Sequence, residues 1–186
     1  MIIGISGYKG TGKDLAGQVL IDKFGFEKGS FAAPIKDLVS MQFGISREML
    51  EGTDEFSRKC REDVNYGAYG KTPRDLLKDI GAFYNREISE TFWCDILEKK
   101  YLSTFGLDLV VTDVRFPCEV AMIEKHGGSV IRINRPGFGC DGSISERSLN
   151  NHSFSTVVLN DGTEEFYKKQ IEDLMKVIVW KSYYSI

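Results

Sequence analysis

The sequence predicts an α/β chain built on a doubly wound, five-stranded parallel sheet with helices on both faces. Three observations carry that expectation. Short apolar runs alternate with stretches of helical periodicity. One run, "LDLVVTD", is continuously apolar, as strands covered on both faces are. A glycine-rich turn, "GYKGTGKD", separates the first apolar run from the first helical stretch. The 186 residues suffice for one domain with a sizeable core.

Taken in order, Ile2, Ile3 and Ile5 mark a short buried strand ending at the glycine turn. Leu15, Val19, Leu20 and Phe24 line one face of a helix that Gly25 closes. "GSFAAPIKDLVSMQFG" repeats the plan, with a brief strand near Phe31, Pro34 in the first helical turn, and a stop at Gly44. "LDLVVTD" is the third strand. Pro117 opens a helix through Met122 and Ile123, closed by "HGG". "SVIRI" and "STVVL" complete the sheet, and a last helix runs from about Thr163 to Trp180. The apolar tail "VIVWKSYYSI" packs either on the domain or on a second copy, which makes a homodimer one option. In such folds ligands sit at the carboxyl ends of the strands, where the glycine turn falls.

Two segments stand outside the alternation. Residues 46–90 are rich in charge and helix formers; "NRPGFGCDGSISERSLNNH" is glycine- and serine-rich. Their placement suggests flaps over a ligand, with a plain surface loop as the alternative for the second.

With 42% hydrophobic and 27% charged residues, the composition is that of an ordinary soluble protein. The net charge of −3 argues against a broad basic face for a nucleic-acid polymer, yet leaves room for a small anion held by placed arginines. Cys60, Cys94, Cys118 and Cys140 are far apart, with only His126 and His152 to complement them, so no zinc site is expected. Unpaired thiols fit a reducing compartment. Met1–Ser6 is too short for a signal peptide, and no run approaches the ~20 apolar residues of a membrane span. The expectation is a cytoplasmic protein with no membrane partner.

Gly7, Gly12 and Lys13 stand at the spacing of a phosphate-binding loop, Gly-x-x-x-x-Gly-Lys-Ser/Thr, but the last position is Asp14. Such a loop turns successive backbone N–H groups toward a polyphosphate, and the following helix points its positive end at the same anion. Gly10 helps the tight path, and Lys13 reaches the β- and γ-phosphates. The bland alternative is a glycine turn with a solvated lysine; the strand before and the helix after disfavour it. Asp14 either stabilises the helix dipole by ~0.3–1 kcal/mol or binds Mg²⁺, directly or through water, and the two are compatible. Asp113, at the tip of "LDLVVTD", is read as the partner that holds magnesium waters, or as a strand-end turn residue. Arg115 lies two residues on, within reach of a phosphate at that edge. Arg74 and Arg86 flank an apolar helix of Leu76, Leu77 and Ile80 and are candidates for a second phosphate, although solvated helix charges are the alternative.

"GYKGTGKD", "SFAAPIKDLVSMQFG", "TPRDLLKDIG" with Arg86 and Trp93, "VVTDVRFPCEV", "GGSVIRINRPG", "SISE" and "VVLNDGT" follow one another over residues 2–165. In that series the chain resembles the bacteriophage deoxynucleoside monophosphate kinases, P-loop kinases in which the loop ends Gly-Lys-Asp. Asp14 is then a signature of the family rather than damage. The resemblance implies a P-loop NTPase fold with a core of 1–45, 91–135 and 153–186, an acceptor-binding segment 46–90 and a lid 136–152. ATP would be held by Gly7, Tyr8, Lys9, Gly10, Thr11, Gly12, Lys13 and Asp14, with Asn160, Asp161 and Gly162 against the adenine. Lys36, Arg74 and Arg86 would bind a deoxynucleoside monophosphate. Lys13, Arg115 and Arg135 would contact the phosphates in transit, Asp14 and Asp113 would serve Mg²⁺, and Glu146 would anchor the lid. Departures from the family pattern fall at Ala33, Lys78, Ala82, Phe83, Cys118 and Ser143; Lys78 replaces a usual glutamine, so base preference does not carry over. Kinases of phosphomevalonate or dephospho-coenzyme A type are the alternative enzymes, and a non-catalytic ATP-binding module the alternative class.

Overall fold

The computed structural model describes residues 1–103 and 107–184. The elements run β1 (Ile2–Ser6), α1 (Lys13–Phe24), β2 (Glu27–Gly29), α2 (Ala33–Phe43), α3 (Arg47–Glu51), α4 (Glu55–Arg61), α5 (Pro73–Glu87), α6 (Phe92–Ser103), β3 (Leu109–Val114), α7 (Pro117–Lys125), β4 (Ser129–Asn134), α8 (Ile144–Arg147), β5 (Thr156–Leu159) and α9 (Glu164–Tyr184). They form two compact units, Met1–Ser30 with Glu98–Ile186, and Phe31–Leu97.

The first unit holds the sheet, all parallel, in the order β2-β3-β1-β4-β5. Every residue of β1 is buried, as a central strand covered on both faces requires. One face packs Ile3, Ile5, Val110, Ile131, Ile133 and Val158 against Ala16, Val19 and Leu20 of α1 and Tyr167, Ile171 and Met175 of α9. α7 covers the other face. The register of β1 on β3 shifts between Gly4, opposite Val111, and Ser6, opposite Val114. The extra residue on β3 is a bulge containing Thr112 and Asp113, the kind of irregularity that re-aims side chains beside a site.

The second strand lies at Glu27–Gly29, not near Phe31. It is an edge strand with only Gly29 buried, so it needs no apolar alternation; Phe31 is buried as a packing residue just beyond it. α9 extends past the expected Trp180 to Tyr184, and Ile178 and Val179 pack on the core while Val177 and Trp180 are exposed. The last two residues of the apolar tail lie outside the described residues.

The second unit is wider than 46–90 because α2 belongs to it. Val39 of α2 shares a core with Ile45, Leu50 and Leu76, so the apolar face of that helix is spent there. α5 begins with a capping box, in which Thr72 accepts from the Asp75 N–H and Asp75 accepts from the Thr72 N–H, with Pro73 in its first turn. The indole N–H of Trp93 donates to the Gly81 carbonyl at 3.0 Å.

Candidate active site

The glycine turn folds back on itself. The Tyr8 carbonyl accepts from the Thr11 hydroxyl at 2.9 Å and from Lys13 Nζ at 2.7 Å. Gly12 caps α1 with φ of 102°, and a Cβ there would meet Asn160 Nδ2 at 2.7 Å. Asn160, at the end of β5, donates that amide to the Thr11 carbonyl at 2.9 Å, and the Tyr167 hydroxyl donates to the Gly12 carbonyl at 3.2 Å. The loop is therefore held from β5 and α9. Asp161 and Gly162 are exposed beside it.

Burial and the nearby Arg115 guanidinium push Lys13 down from 10.5 to about 8, with Arg132 adding to the effect and Asp14 and Glu146 opposing it. A lysine poised this way is costly while the loop holds no anion.

Asp14 is exposed in the first turn of α1, and its Oδ1 accepts from the Thr112 hydroxyl at 2.9 Å. Gly17 makes that contact possible: a Cβ there would lie 2.4 Å from the Thr112 methyl, so α1 would stand off from β3. The neighbouring Asp113 accepts from the Ser30 hydroxyl at 2.7 Å. Two carboxylates, each fixed by a hydroxyl donor, thus flank the loop. Hard oxygen donors of this kind fit a magnesium ion that takes its remaining ligands from phosphate and water.

Arg115 follows the bulge. Its backbone N–H donates to Glu119 Oε2 at 2.5 Å, as does that of Phe116 at 2.9 Å, and burial pushes Glu119 up to about 8 against those two donors. The Arg115 guanidinium lies 3.9 Å from Glu146. Glu146, on α8 and buried, accepts from the Lys9 N–H at 2.9 Å and the Asp141 N–H at 3.3 Å, which ties segment 136–152 to the loop. Arg135 is exposed, donates to the Gly10 carbonyl at 3.3 Å and stacks over Phe138 at 4.8 Å.

In the second unit Arg74 pairs with Glu62 at 2.9 Å, and Lys36 with Glu51 at 2.5 Å. Arg86 is 70% exposed and bonded to its neighbour Glu87. Twelve residues of helix separate Arg74 from Arg86, roughly 18 Å along the axis and a third of a turn around it, so the two do not share one face of α5.

Sequence reasoning missed Thr112, Ser30, Tyr167 and Glu119, the groups that hold the site residues in place. The hydroxyl of Tyr167 on an otherwise apolar helix face was a usable signal; the Ser30–Asp113 pairing, across most of a hundred positions, had none.

A model of the family described as deoxynucleotide monophosphate kinase matches residues 74–171. A protein of Acanthamoeba polyphaga mimivirus, whose name places it among the deoxynucleotide monophosphate kinases, is 34% identical, over 92% of this chain and 94% of its own. The deoxynucleotide monophosphate kinase of Enterobacteria phage T4 is 23% identical, over 95% of this chain and 99% of its own. Among solved structures, TT1252 from Thermus thermophilus superposes with a TM-score of 0.52 at 15% identity, covering 97% of both chains. Shikimate kinase from Aquifex aeolicus does so with a TM-score of 0.50 at 13% identity, over 95% of this chain and 96% of its own. Those two likenesses concern the fold, which is that of P-loop kinases. With a phosphate loop, a buried lysine and two fixed carboxylates at the carboxyl edge of its sheet, and with relatives aligned along nearly its whole length, the chain belongs to the deoxynucleotide monophosphate kinase family of phosphotransferases.

Proposed function

We propose that the chain transfers the γ-phosphoryl group of Mg·ATP to the 5′-phosphate of a deoxynucleoside monophosphate, giving the diphosphate and ADP. The observation that carries this is the buried Lys13, bonded to its own loop and held well below an ordinary lysine, in a chain of this family. Residues 7–14 receive the triphosphate. Lys13 exchanges the Tyr8 carbonyl for β- and γ-phosphate oxygens and regains its full charge there. Arg115 and Arg135 lie at the same edge of the sheet and offset charge on the oxygens in flight. Asp14 and Asp113 would hold magnesium, which when bound neutralises the phosphate oxygens and fixes their geometry. Arg74 exchanges Glu62 for the acceptor phosphate, with Lys36 in support. Lys36 and Arg47 hold Glu51 below the usual carboxylate range despite its burial. The acceptor oxygen is already ionised, so positioning and charge suffice and no general base is needed. Segment 136–152, anchored through Glu146, excludes water that would compete as acceptor.

No helix among the described residues is long and apolar enough to cross a membrane. With relatives encoded by viruses, the chain acts in the cytoplasm of an infected cell.

The test is ADP formation from Mg·ATP against the four deoxynucleoside and four ribonucleoside monophosphates, with phosphomevalonate and dephospho-coenzyme A alongside. Stimulation by deoxynucleotides is expected. Stimulation by another acceptor alone would move the chain to a different substrate class. Nucleotide binding with no stimulation would make it a switch. The metal role is tested in the same assay: Asp14→Ala raises the magnesium concentration needed for half-maximal rate, and an unchanged requirement would leave Asp14 as a dipole-stabilising residue only.

A further inference from the structure

Two groups beside the loop stand in exchanged places. A phosphate loop ordinarily ends in a hydroxyl and the neighbouring strand in a carboxylate, and the two serve magnesium together. Here the loop ends in Asp14, and the side chain that meets it from β3 is Thr112, whose hydroxyl donates to Asp14 Oδ1 at 2.9 Å. The next residue on the strand, Asp113, accepts from the Ser30 hydroxyl.

The Thr112 hydroxyl is fixed in three ways. The residue is 8% exposed, so water competes little for its bond. It is β-branched, which makes χ1 stiff. Its methyl lies against Gly17 of α1, where even a Cβ would come within 2.4 Å, so the side chain has one way to sit. The β3 bulge, between Val111 opposite Gly4 and Val114 opposite Ser6, is what aims residue 112 at the loop. Asp14, by contrast, is exposed. An exposed carboxylate explores several rotamers, and ordering it when a cation arrives weakens the binding. A buried, stiff donor that already grips one oxygen removes that loss. A second carboxylate in place of Thr112 would instead repel Asp14 whenever the site holds no cation. The plain alternative is a stitch between α1 and β3, but packing on Gly17 supplies that without a hydroxyl.

We propose that Thr112 is a positioning residue for magnesium, acting through Asp14, and that the two are the ordinary hydroxyl–carboxylate pair with its members exchanged between loop and strand. The inference rests on the metal role of Asp14 and assigns Thr112 a part in it.

The experiment is calorimetric titration of the full chain with ADP, in the presence and absence of MgCl₂. The quantity read is the magnesium gain, the factor by which the metal tightens ADP binding. Thr112→Val keeps the shape and loses the donor, so the gain is expected to fall about tenfold or more, while metal-free ADP affinity stays within about twofold of wild type. Thr112→Ser is expected to restore most of the gain. Asp14→Thr alone is expected to lose it, and the double variant Asp14→Thr, Thr112→Asp to regain it. An unchanged gain in Thr112→Val overturns the proposal, as does an equal loss of ADP affinity with and without metal, which makes the bond a stitch. A double variant that folds and binds ADP no better with metal than Asp14→Thr overturns the exchange. If it does not fold, the Val and Ser variants decide. Asp14→Ala separates this inference from the reading beneath it. Loss of the gain there with retention in Thr112→Val removes Thr112 alone, whereas retention in both removes the metal role of Asp14 as well. The kinase reading fails separately, by absence of ADP formation in wild type.

Discussion

Three cations near the loop and five in the unit of Phe31–Leu97 are held in opposite ways. In the sheet unit, Lys13, Arg132 and Arg135 are bonded to carbonyls, hydroxyls, amides and rings rather than to carboxylates. In the unit of Phe31–Leu97, Lys36, Arg47, Arg74, Arg86 and Lys71 are each paired with an acid. The first unit holds positive potential in waiting and bears the cost of it, as the lowered Lys13 shows. The five in the second unit sit in ion pairs that an incoming phosphate would have to displace. An anion entering the sheet unit fills a deficit; one entering the other exchanges with an aspartate or glutamate of similar charge. Binding at the loop should therefore be tight and proton-linked, and binding at Arg74 weaker and tunable by its acidic partner.

The largest effect that sharpens this contrast is on Lys13. Lys13→Ala should lower kcat by about 10³-fold or more, since on the proposed mechanism it removes the ammonium that offsets charge on the transferring phosphates; steady-state ADP formation checks it. Arg74→Ala should cost about 2–4 kcal/mol in kcat/KM for the monophosphate while ATP affinity holds. An unchanged acceptor dependence would remove Arg74 from the site.

Stability gives a third test. Lys13 has a folded value near 8 against 10.5 unfolded, so the folded state disfavours its charged form. Below pH 8 the penalty is complete, and it is relieved as pH rises from 8 through 10.5, where the unfolded chain binds the extra proton. Urea unfolding of wild type relative to Lys13→Met should accordingly show a relative gain of up to roughly 3 kcal/mol for wild type between pH 7.5 and 10.5. By the same linkage, ATP binding at pH 8.5 should take up protons, visible as a dependence of the calorimetric heat on buffer ionisation.

Smaller effects follow. Asn160→Ala leaves the Thr11 carbonyl without its amide donor and should cost about 1–2 kcal/mol of stability, with weaker ATP binding and an unchanged acceptor KM. Glu62→Gln frees Arg74 from an exposed pair worth only about 0.2–1 kcal/mol, so the acceptor KM should fall by no more than about fivefold. A rise in KM instead would mean that Glu62 orients Arg74 rather than competes for it.

Much of the sheet was legible because β1 is buried throughout and β3 opens on a continuous apolar run, as strands covered on both faces do. The phosphate loop was legible because strand, glycines, lysine and helix are contiguous in sequence. β2 was displaced because an edge strand with two exposed residues has no apolar pattern, and the nearby Phe31 drew the eye. The extent of the second unit was missed because α2 reads as one more sheet helix; only its packing on Leu50 and Leu76 assigns it elsewhere. Thr112, Ser30 and Asn160 act through partners that are distant in sequence, and no local pattern encodes such a pairing. Arg132 did leave a trace. A charge in the middle of "SVIRI", between residues that must be buried, was a sign that one face of that strand met something other than hydrocarbon.

The strand order has a consequence for how the protein comes into being. β1 lies at the centre of the sheet, with β3 and β4 as its neighbours, so Ile2–Ser6 is synthesised long before either partner at 109–134 exists. At about 5–20 residues per second, that wait is on the order of 5–20 s. For that interval an unpaired, apolar strand trails the growing chain, and the phosphate loop that hangs from it cannot take shape. Nascent chains stalled before residue 134 should thus recruit chaperones and bind no nucleotide, while release past β4 lets the most buried strand and the loop mature in a single late step.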